Sequence, residues 1–350
     1  MMRQRDRVRH PGGWPAVLAI VALMAGAASI ACETGTASSS PSTTSGGSTG
    51  GAGAQEGTSV EVVKEVSPSV VLIQTSSGLG SGEVYDSQGH IVTNAHVVGD
   101  ATSFRVTTSA GKVLQGTLTG TFPPDDIAVI KVDGNGLKPA RFGDSSRLQV
   151  GQAVLAIGNP LGLVGSVTSG IVSALNRVVS EGEGGGTLPD AIQTSAPINP
   201  GNSGGALVSM ASEVVGIPTL GAVSPGSSGA PAPGIGFAIS SNRARVIADQ
   251  LVQGGRVTNS RRAYLGVQAA NTDGGKGVVV VQVVPGGPAA QAGIGPGALI
   301  TAVDGKPTPT TSQLSEVLAG LSPGQTVPVA VVQPNGSRAT VSVTLGPLPG

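Results

Sequence analysis

The chain has 350 residues, with 20 Lys and Arg against 20 Asp and Glu, so its formal net charge is zero. Outside the N-terminus it carries no basic stripe, which excludes nucleic acid as an expected partner. Its length suggests two domains. The 56 glycines favour strands and turns over helices, and the single cysteine excludes an intrachain disulfide.

Residues 1–32 have the composition of an export signal. Four basic side chains come first: Arg3, Arg5, Arg7 and Arg9. An apolar run follows from about Val17 to Ala31, with Cys32 directly after it. The segment Ser29–Cys32 resembles the lipobox of bacterial lipoproteins, although Ser29 stands where leucine is usual. This resemblance implies that Cys32 is lipidated and becomes the mature N-terminus.

Two alternatives to the lipobox remain open. Ala25-Gly26-Ala27 offers a rival cleavage site of the A-x-A kind. The apolar run is only slightly shorter than a membrane span, so an uncleaved membrane anchor is the third interpretation. All three place the folded part outside the cytoplasm, and the first and third tether it to the cell membrane.

The rest of the N-terminal half predicts a tether followed by a β-domain. Residues 33–57 are rich in Ser, Thr and Gly, which predicts a disordered tether. Thr58 and Glu61 have capping-box spacing for a short helix. Short Val- and Ile-rich runs then alternate with turn residues up to residue 257, which predicts a barrel or sandwich over 58–257. The predicted elements are strands Val70–Thr75, Ile91–Thr93, Ser103–Thr107, Ile127–Val132, Ala153–Ile157, Gly165–Ser173 and Val214–Ile217, and a helix over Asn242–Gln253.

A second domain is predicted over residues 262–347, after a linker at 258–261. Its predicted strands lie near Tyr264–Gln268, Gly277–Val284, Leu299–Val303, Val327–Val332 and Thr340–Thr344. Two helices are expected, over Pro288–Ala292 and Ser312–Ala319. Thr310 and Gln313 again have the spacing of a capping box, which fixes the start of the second helix.

The segment NPGNSGGAL surrounds Ser203 with glycines, which lets backbone N–H groups approach another molecule closely. A serine hydroxyl is a weak nucleophile unless a base lies beside it, and the base is usually histidine. Of the 3 histidines, His96 follows a predicted strand in an apolar setting. Asp125 and Asp126 stand at the start of the next apolar strand, and either carboxylate can orient an imidazole.

Six motifs occur in order: TNAHVV, DDIAVIKV, AIGNPLG, SVTSGIVSALNR, INPGNSGGAL and GIGFAIS. Together they resemble the HtrA/Deg family of trypsin-like serine proteases, over about residues 58–257. The resemblance implies a mostly β fold, in which a chymotrypsin-like double β-barrel is followed by a PDZ-like α+β domain.

The resemblance also assigns roles by position. It implies His96 as the general base, Asp126 rather than Asp125 as the acid, and Ser203 as the nucleophile. The backbone amides of Gly201 and Ser203 are implied as the oxyanion hole. The chain order His, Asp, Ser is that of chymotrypsin-type enzymes.

Two aliphatic residues, Ile198 and Leu220, match positions that line the specificity pocket of the family. We therefore expect small or medium aliphatic side chains before the scissile bond, unless both residues simply fill the barrel core. Pro197 and Pro218 depart from the family pattern. Because proline lacks an N–H, Pro218 is expected to remove one backbone contact to substrate.

The C-terminal domain resembles a PDZ domain, in which a peptide adds as a strand beside a helix. The YLGV segment matches the loop whose amides hold the terminal carboxylate of a peptide. The implied groove residues are Tyr264, Leu265, Gly266 and Val267 in the loop and Leu314, Val317 and Leu318 on the helix.

The sequence therefore predicts a membrane-tethered serine endopeptidase that cleaves unfolded or misfolded proteins outside the cytoplasm. Its expected partners are protein substrates and C-terminal peptides, and the family resemblance implies a homotrimer. No Walker, H-E-x-x-H or Cys/His cluster pattern occurs, so neither metal nor cofactor is expected. The alternative is a proteolytically weak chaperone or peptide-sensing module that uses the PDZ groove.

Overall fold

The computed structural model describes residues 50–76, 78–158, 166–180, 187–199, 201–223 and 231–349. The predicted export signal, Cys32 and the tether as far as residue 49 lie outside these ranges. Within them, no helix combines the length and the apolar character needed to cross a membrane.

Helix α1 spans Gly50–Val66 and begins well before the predicted start at Thr58. Residues 50–57, expected in the tether, are therefore helical. Ala, Gln and Glu between Ala52 and Glu56 favour a helix, and each residue added to an existing helix gains a hydrogen bond. Val62 and Val66 anchor α1 in a buried cluster with strands of the second barrel.

The first barrel closes six antiparallel strands in the order β1-β2-β3-β6-β5-β4. These strands are β1 Val70–Gln74, β2 Leu79–Val84, β3 His90–Thr93, β4 Ser103–Thr107, β5 Val113–Phe122 and β6 Ile127–Lys131. Alternate aliphatic residues and Phe104 fill the interior. Helix α2, Ala95–Val98, follows β3, and a 3₁₀ turn at Pro123–Asp125 precedes β6.

The second barrel closes in the order β10-β11-β12-β9-β8-β7. Its strands are β7 Ala153–Gly158, β8 Ser166–Ser180, β9 Thr187–Thr194, β10 Ala206–Ser209, β11 Val214–Val223 and β12 Pro231–Ser240. A 3₁₀ turn, Ser145–Arg147, precedes β7, and helix α3, Ser241–Gly254, follows β12. One buried cluster joins Val92 of the first barrel, Ile217 of the second and Ile247 of α3, so the barrels and α3 pack as a unit.

The C-terminal domain has the predicted strands and helices, with shifted ends. Its elements are β13 Ala263–Tyr264, β14 Val267–Asn271, β15 Val278–Val283, α4 Pro288–Gln291, β16 Leu299–Val303, β17 Lys306–Pro307, α5 Thr311–Ala319, β18 Thr326–Val332, β19 Arg338–Thr344 and β20 Gly346–Pro347. The main sheet has the order β14-β15-β16-β18-β19, which leaves β14 at its edge. The Thr310 hydroxyl accepts the Gln313 N–H at 3.2 Å, as the capping-box spacing predicts.

Glu83 of β2 is a fully buried carboxyl group, with 0% exposure. Its strand neighbours are Val70 and Val92, which belong to the two clusters that join the barrels. Neither carboxyl oxygen has a hydrogen-bond partner in the described part of the chain. Burial raises the pKa of Glu83 well above its ordinary value, because a dry interior disfavours the charged form.

We expect Glu83→Met to stabilise the protein at neutral pH. The unfolded chain loses the Glu83 proton above the ordinary pKa, while the folded chain keeps it up to the raised pKa. Between these two pKa values, the free energy of unfolding therefore falls as pH rises, by about 1.4 kcal/mol per pH unit from Glu83. Thermal melts across the window should show a gain that grows with pH. Glu65→Met, on the exposed side of α1, is the control, and a gain independent of pH contradicts the prediction.

Candidate active site

The serine loop, Gly201–Gly205, is held against strand β2. The Ser81 amide donates to the Ser203 carbonyl oxygen at 2.9 Å, and the Ser81 hydroxyl donates to the Gly201 carbonyl oxygen at 2.6 Å. Gly204 has φ 79°, and a Cβ there would lie 2.2 Å from the Ser81 carbonyl oxygen. Some glycines of NPGNSGGAL therefore allow this close packing, which the sequence interpretation had not considered.

The imidazole of His96 on α2 contacts the carboxylate of Asp126. Its Nδ1 lies 3.0 Å from Oδ1 and 2.9 Å from Oδ2, and the His96 backbone N–H donates to Oδ1 at 3.0 Å. An ionised carboxylate only accepts hydrogen bonds, so this contact places the imidazole proton on Nδ1. Nε2 is then the basic nitrogen, as a general base requires.

Thr219 of β11 links the acid to the serine loop. Its hydroxyl donates to Asp126 Oδ2 at 2.5 Å, and its carbonyl oxygen accepts the Ser203 hydroxyl at 3.1 Å. The structure thus brings His96, Asp126 and Ser203 into one constellation. The sequence analysis missed Thr219, because a threonine inside a strand resembles ordinary β-structure.

The three side chains differ in their access to water. The side chain of Asp126 is 4% exposed, whereas that of His96 is 45% exposed. Ser203 is half-buried between these extremes. Because the Asp126 carboxylate is buried, little water competes for its hydrogen bonds. The exposed imidazole of His96 stays accessible to a substrate in the cleft.

The predicted oxyanion donors, the amides of Gly201 and Ser203, lie on the serine loop. Gly201 has φ 101°, a conformation suited to glycine. Among the described residues, neither the Gly201 nor the Ser203 amide has an intramolecular acceptor. Asn202 is buried between them, and its Nδ2 donates to the Pro197 carbonyl oxygen at 3.5 Å.

The predicted specificity residues lie on the second barrel. Ile198 is half-buried, packs against the barrel core, and would lie 2.6 Å from a Cβ placed on Gly236. Leu220 pairs with Phe237 in the β11–β12 ladder. The side chain of Leu220 lies outside the described part of the chain. Pro218 also supports the serine loop, because its carbonyl oxygen accepts the Gly204 N–H at 3.0 Å.

Asp125 and Asp126, the two alternatives for the acid, face different partners. Asp126 contacts His96, while Asp125 pairs with Arg243 and Arg262. The geometry therefore supports Asp126 as the partner of the imidazole. Sequence reasoning did not find the two arginine partners, which lie more than a hundred residues downstream.

A groove of about 470 Å³ in the C-terminal domain holds six of the seven predicted peptide-binding residues. These six are Tyr264, Leu265, Gly266, Val267, Leu314 and Leu318. Val317 is not among the residues that line the groove, and it packs in the buried core of the domain. Pro123 and Pro124 of the first barrel also line this groove.

Within the described ranges, no cluster of three His, Cys, Asp or Glu side chains is arranged to hold a metal ion. The site instead has an imidazole–carboxylate pair and a serine on a glycine-rich loop. Two six-stranded barrels that carry such a site have the architecture of chymotrypsin-like serine peptidases.

Comparison with known proteins agrees with this class. The trypsin-like peptidase domain family matches residues 80–217, and the PDZ domain family matches residues 263–345. Serine protease PepD of Mycobacterium tuberculosis is 45% identical over 307 residues, which cover 82% of this chain and 65% of PepD. A probable periplasmic serine endoprotease DegP-like of Pseudomonas putida is 39% identical over 284 residues, covering 78% of this chain and 57% of the relative.

The solved structure of the HtrA-type protease AlgW with a decapeptide aligns with a TM-score of 0.59 at 30% identity. The alignment covers 83% of this chain and 99% of that one. The chain belongs to the HtrA family of serine proteases. It spans 65% of the length of PepD and 57% of that of the DegP-like relative.

Proposed function

We propose that this protein is a serine endopeptidase that cleaves unfolded or misfolded proteins outside the cytoplasm. The observation that carries the proposal is the contact of His96 Nδ1 with the buried Asp126 carboxylate, which Thr219 connects to Ser203. This arrangement leaves a basic nitrogen beside an accessible cleft. The periplasmic names of the DegP-like relatives support the location.

In the proposed reaction, the Ser203 hydroxyl attacks the carbonyl carbon of a peptide bond while His96 Nε2 takes its proton. Asp126 holds the other ring proton and stabilises the imidazolium that forms. The amides of Gly201 and Ser203 donate to the tetrahedral oxyanion, and loss of one such donor costs about 3 kcal/mol. His96 then protonates the leaving amine, and water releases the acyl group.

The PDZ groove is proposed to bind the C-terminal end of a peptide. Strand β14 is the edge of its sheet, and an added strand can pair with the edge strand of a sheet. Leu314 and Leu318 on α5 supply the apolar wall. The decapeptide named with the AlgW structure supports a peptide-binding role in this family.

Membrane tethering through Cys32 or an N-terminal anchor and a homotrimeric assembly belong to the same proposal. The apolar run before Cys32 supports the tether. The family resemblance supports the trimer. The proteolytically weak chaperone or peptide-sensing module remains the alternative, and it would use the groove while the His96–Asp126 pair and Ser203 stay idle.

A fluorophosphonate reagent, which phosphonylates activated serines, tests the proposal on the folded chain. We expect one adduct, located by mass spectrometry on the peptide that contains Ser203, together with loss of casein cleavage. The exposed Ser146, whose hydroxyl donates to Asp144, should stay unmodified and serves as the internal control. Absence of both the adduct and casein cleavage, even with C-terminal peptides added, would favour the peptide-sensing module.

A further inference from the structure

A buried ion cluster joins the C-terminal domain to the residue beside the catalytic acid. Arg243 of α3 donates through Nε to Asp125 Oδ2 at 2.7 Å, with its Nη2 2.6 Å from the same oxygen. Arg262, directly before β13, donates through Nη1 to Asp125 Oδ1 at 3.0 Å and also to the Pro124 carbonyl oxygen. All three charged side chains are buried.

The segment that this cluster holds lies directly before Asp126 in the chain. Asp126 has φ 52°, an unfavourable conformation for a residue with a side chain, so its surroundings must maintain it. On one side, the Ala95 N–H and the Asn94 side-chain amide each donate to the Asp126 carbonyl oxygen at 3.1 Å. On the other side lies the Pro123–Asp125 turn, whose only charged side chain is the one bound by the two arginines.

We propose that Arg262 and Arg243 act through Asp125 as positioning residues for the catalytic acid. The two guanidinium groups fix the Pro123–Asp125 turn, and the turn fixes the backbone from which the Asp126 carboxylate reaches His96. Because Arg262 begins the C-terminal domain, that domain helps to position Asp126 of the triad. This inference rests on the proposed function, since it assigns a role around the same acid.

The directions of the hydrogen bonds explain why arginine is needed. Arg262 Nη1 donates to both a carboxylate oxygen and a backbone carbonyl oxygen of the turn, and Arg243 Nε donates to the other carboxylate oxygen of Asp125. A planar guanidinium holds these directions, whereas a lysine ammonium on a flexible stem does not. Lysine at either position should therefore keep the charge and lose part of the positioning.

The first experiment compares Arg262→Gln with Arg261→Gln in the full chain, using a short chromogenic peptide as substrate. Arg261 is the exposed neighbour and provides the matched control. We expect kcat to fall by about 10- to 100-fold for Arg262→Gln, with KM changed by less than about twofold, because a small displacement of catalytic groups slows the chemical step. Arg261→Gln should keep the kcat of the original protein, and Arg262→Lys should lie between them.

A second readout separates positioning from general stability. A proton shared between His96 Nδ1 and Asp126 gives a far-downfield proton NMR resonance, and Arg262→Gln should shift or broaden it. A variant that melts at a lower temperature but keeps both kcat and this resonance would show that the cluster only stabilises the fold, and it would overturn the inference. If the original protein shows the resonance but has no activity, the proposed function fails, while the resonance still tests positioning.

Removal of Arg262 leaves Asp125 with one partner, and loss of a buried ion partner can prevent folding. Arg243→Lys then provides the second variant, because it keeps the charge in the cluster. We expect a several-fold loss of kcat with the same disturbance of the resonance. Unchanged kcat and resonance in folded Arg243→Lys would also overturn the inference.

Discussion

Ser203→Ala is expected to abolish peptide-bond cleavage, with kcat falling by about 10⁵- to 10⁶-fold. The reason is that no other hydroxyl is held both on the Gly201–Gly205 loop and against Thr219 in the described site. Folding should be unaffected, because the half-buried Ser203 side chain makes one hydrogen bond, worth about 1 kcal/mol. Casein digestion and thermal melts of the two proteins measure both effects.

The control for this variant is Ser146→Ala, which removes an exposed hydroxyl outside the site. It should digest casein at the rate of the original protein. Residual cleavage by Ser203→Ala within about tenfold of the original rate, well above what a triad without its nucleophile retains, would show that Ser203 is not the nucleophile. Loss of cleavage with a lowered melting temperature would instead point to damage of the serine loop.

Asp126→Asn is expected to lower kcat by about 10⁴-fold at neutral pH. Both carboxylate oxygens accept from donors: Oδ1 from the His96 backbone N–H, and Oδ2 from the Thr219 hydroxyl. Asparagine has an NH₂ group in place of one of these two oxygens. That NH₂ group would face one of these donors or His96 Nδ1. The imidazole then loses the acceptor that fixes its proton on Nδ1, and Nε2 no longer acts as the base.

Steady-state kinetics on a short peptide measure this loss, and Asp133→Asn is the matched control. Asp133 is exposed, and its carboxylate accepts the Asn135 N–H in a surface turn. We expect the control to keep its kcat and Asp126→Asn to keep most of its substrate affinity. A kcat for Asp126→Asn within a few-fold of the original value would remove Asp126 from the triad.

The strand pattern of the fold was largely predictable where apolar residues alternate. Ser103–Thr107 forms the predicted strand, and Ile127–Lys131 differs from its prediction by one residue. Strands β2, β5, β9, β10 and β12 of the two barrels were missed. In β12 the sequence PAPGIGFAIS carries glycine and proline, which indicate turns locally, and only pairing with β11 and β9 makes it a strand.

The sequence by itself determined the types and order of the chemical groups, because His96, Asp126 and Ser203 stand in recognisable local motifs. Local composition did not separate Asp125 from Asp126, and the family resemblance alone favoured Asp126; the tertiary structure shows that the Asp126 carboxylate contacts the imidazole, while Asp125 pairs with two arginines. The tertiary structure also decided the contacts of Thr219 and Arg262, whose partners lie 93 and 137 residues away along the chain. Such contacts depend on how two barrels and a third domain pack, and local periodicity carries no information about that packing.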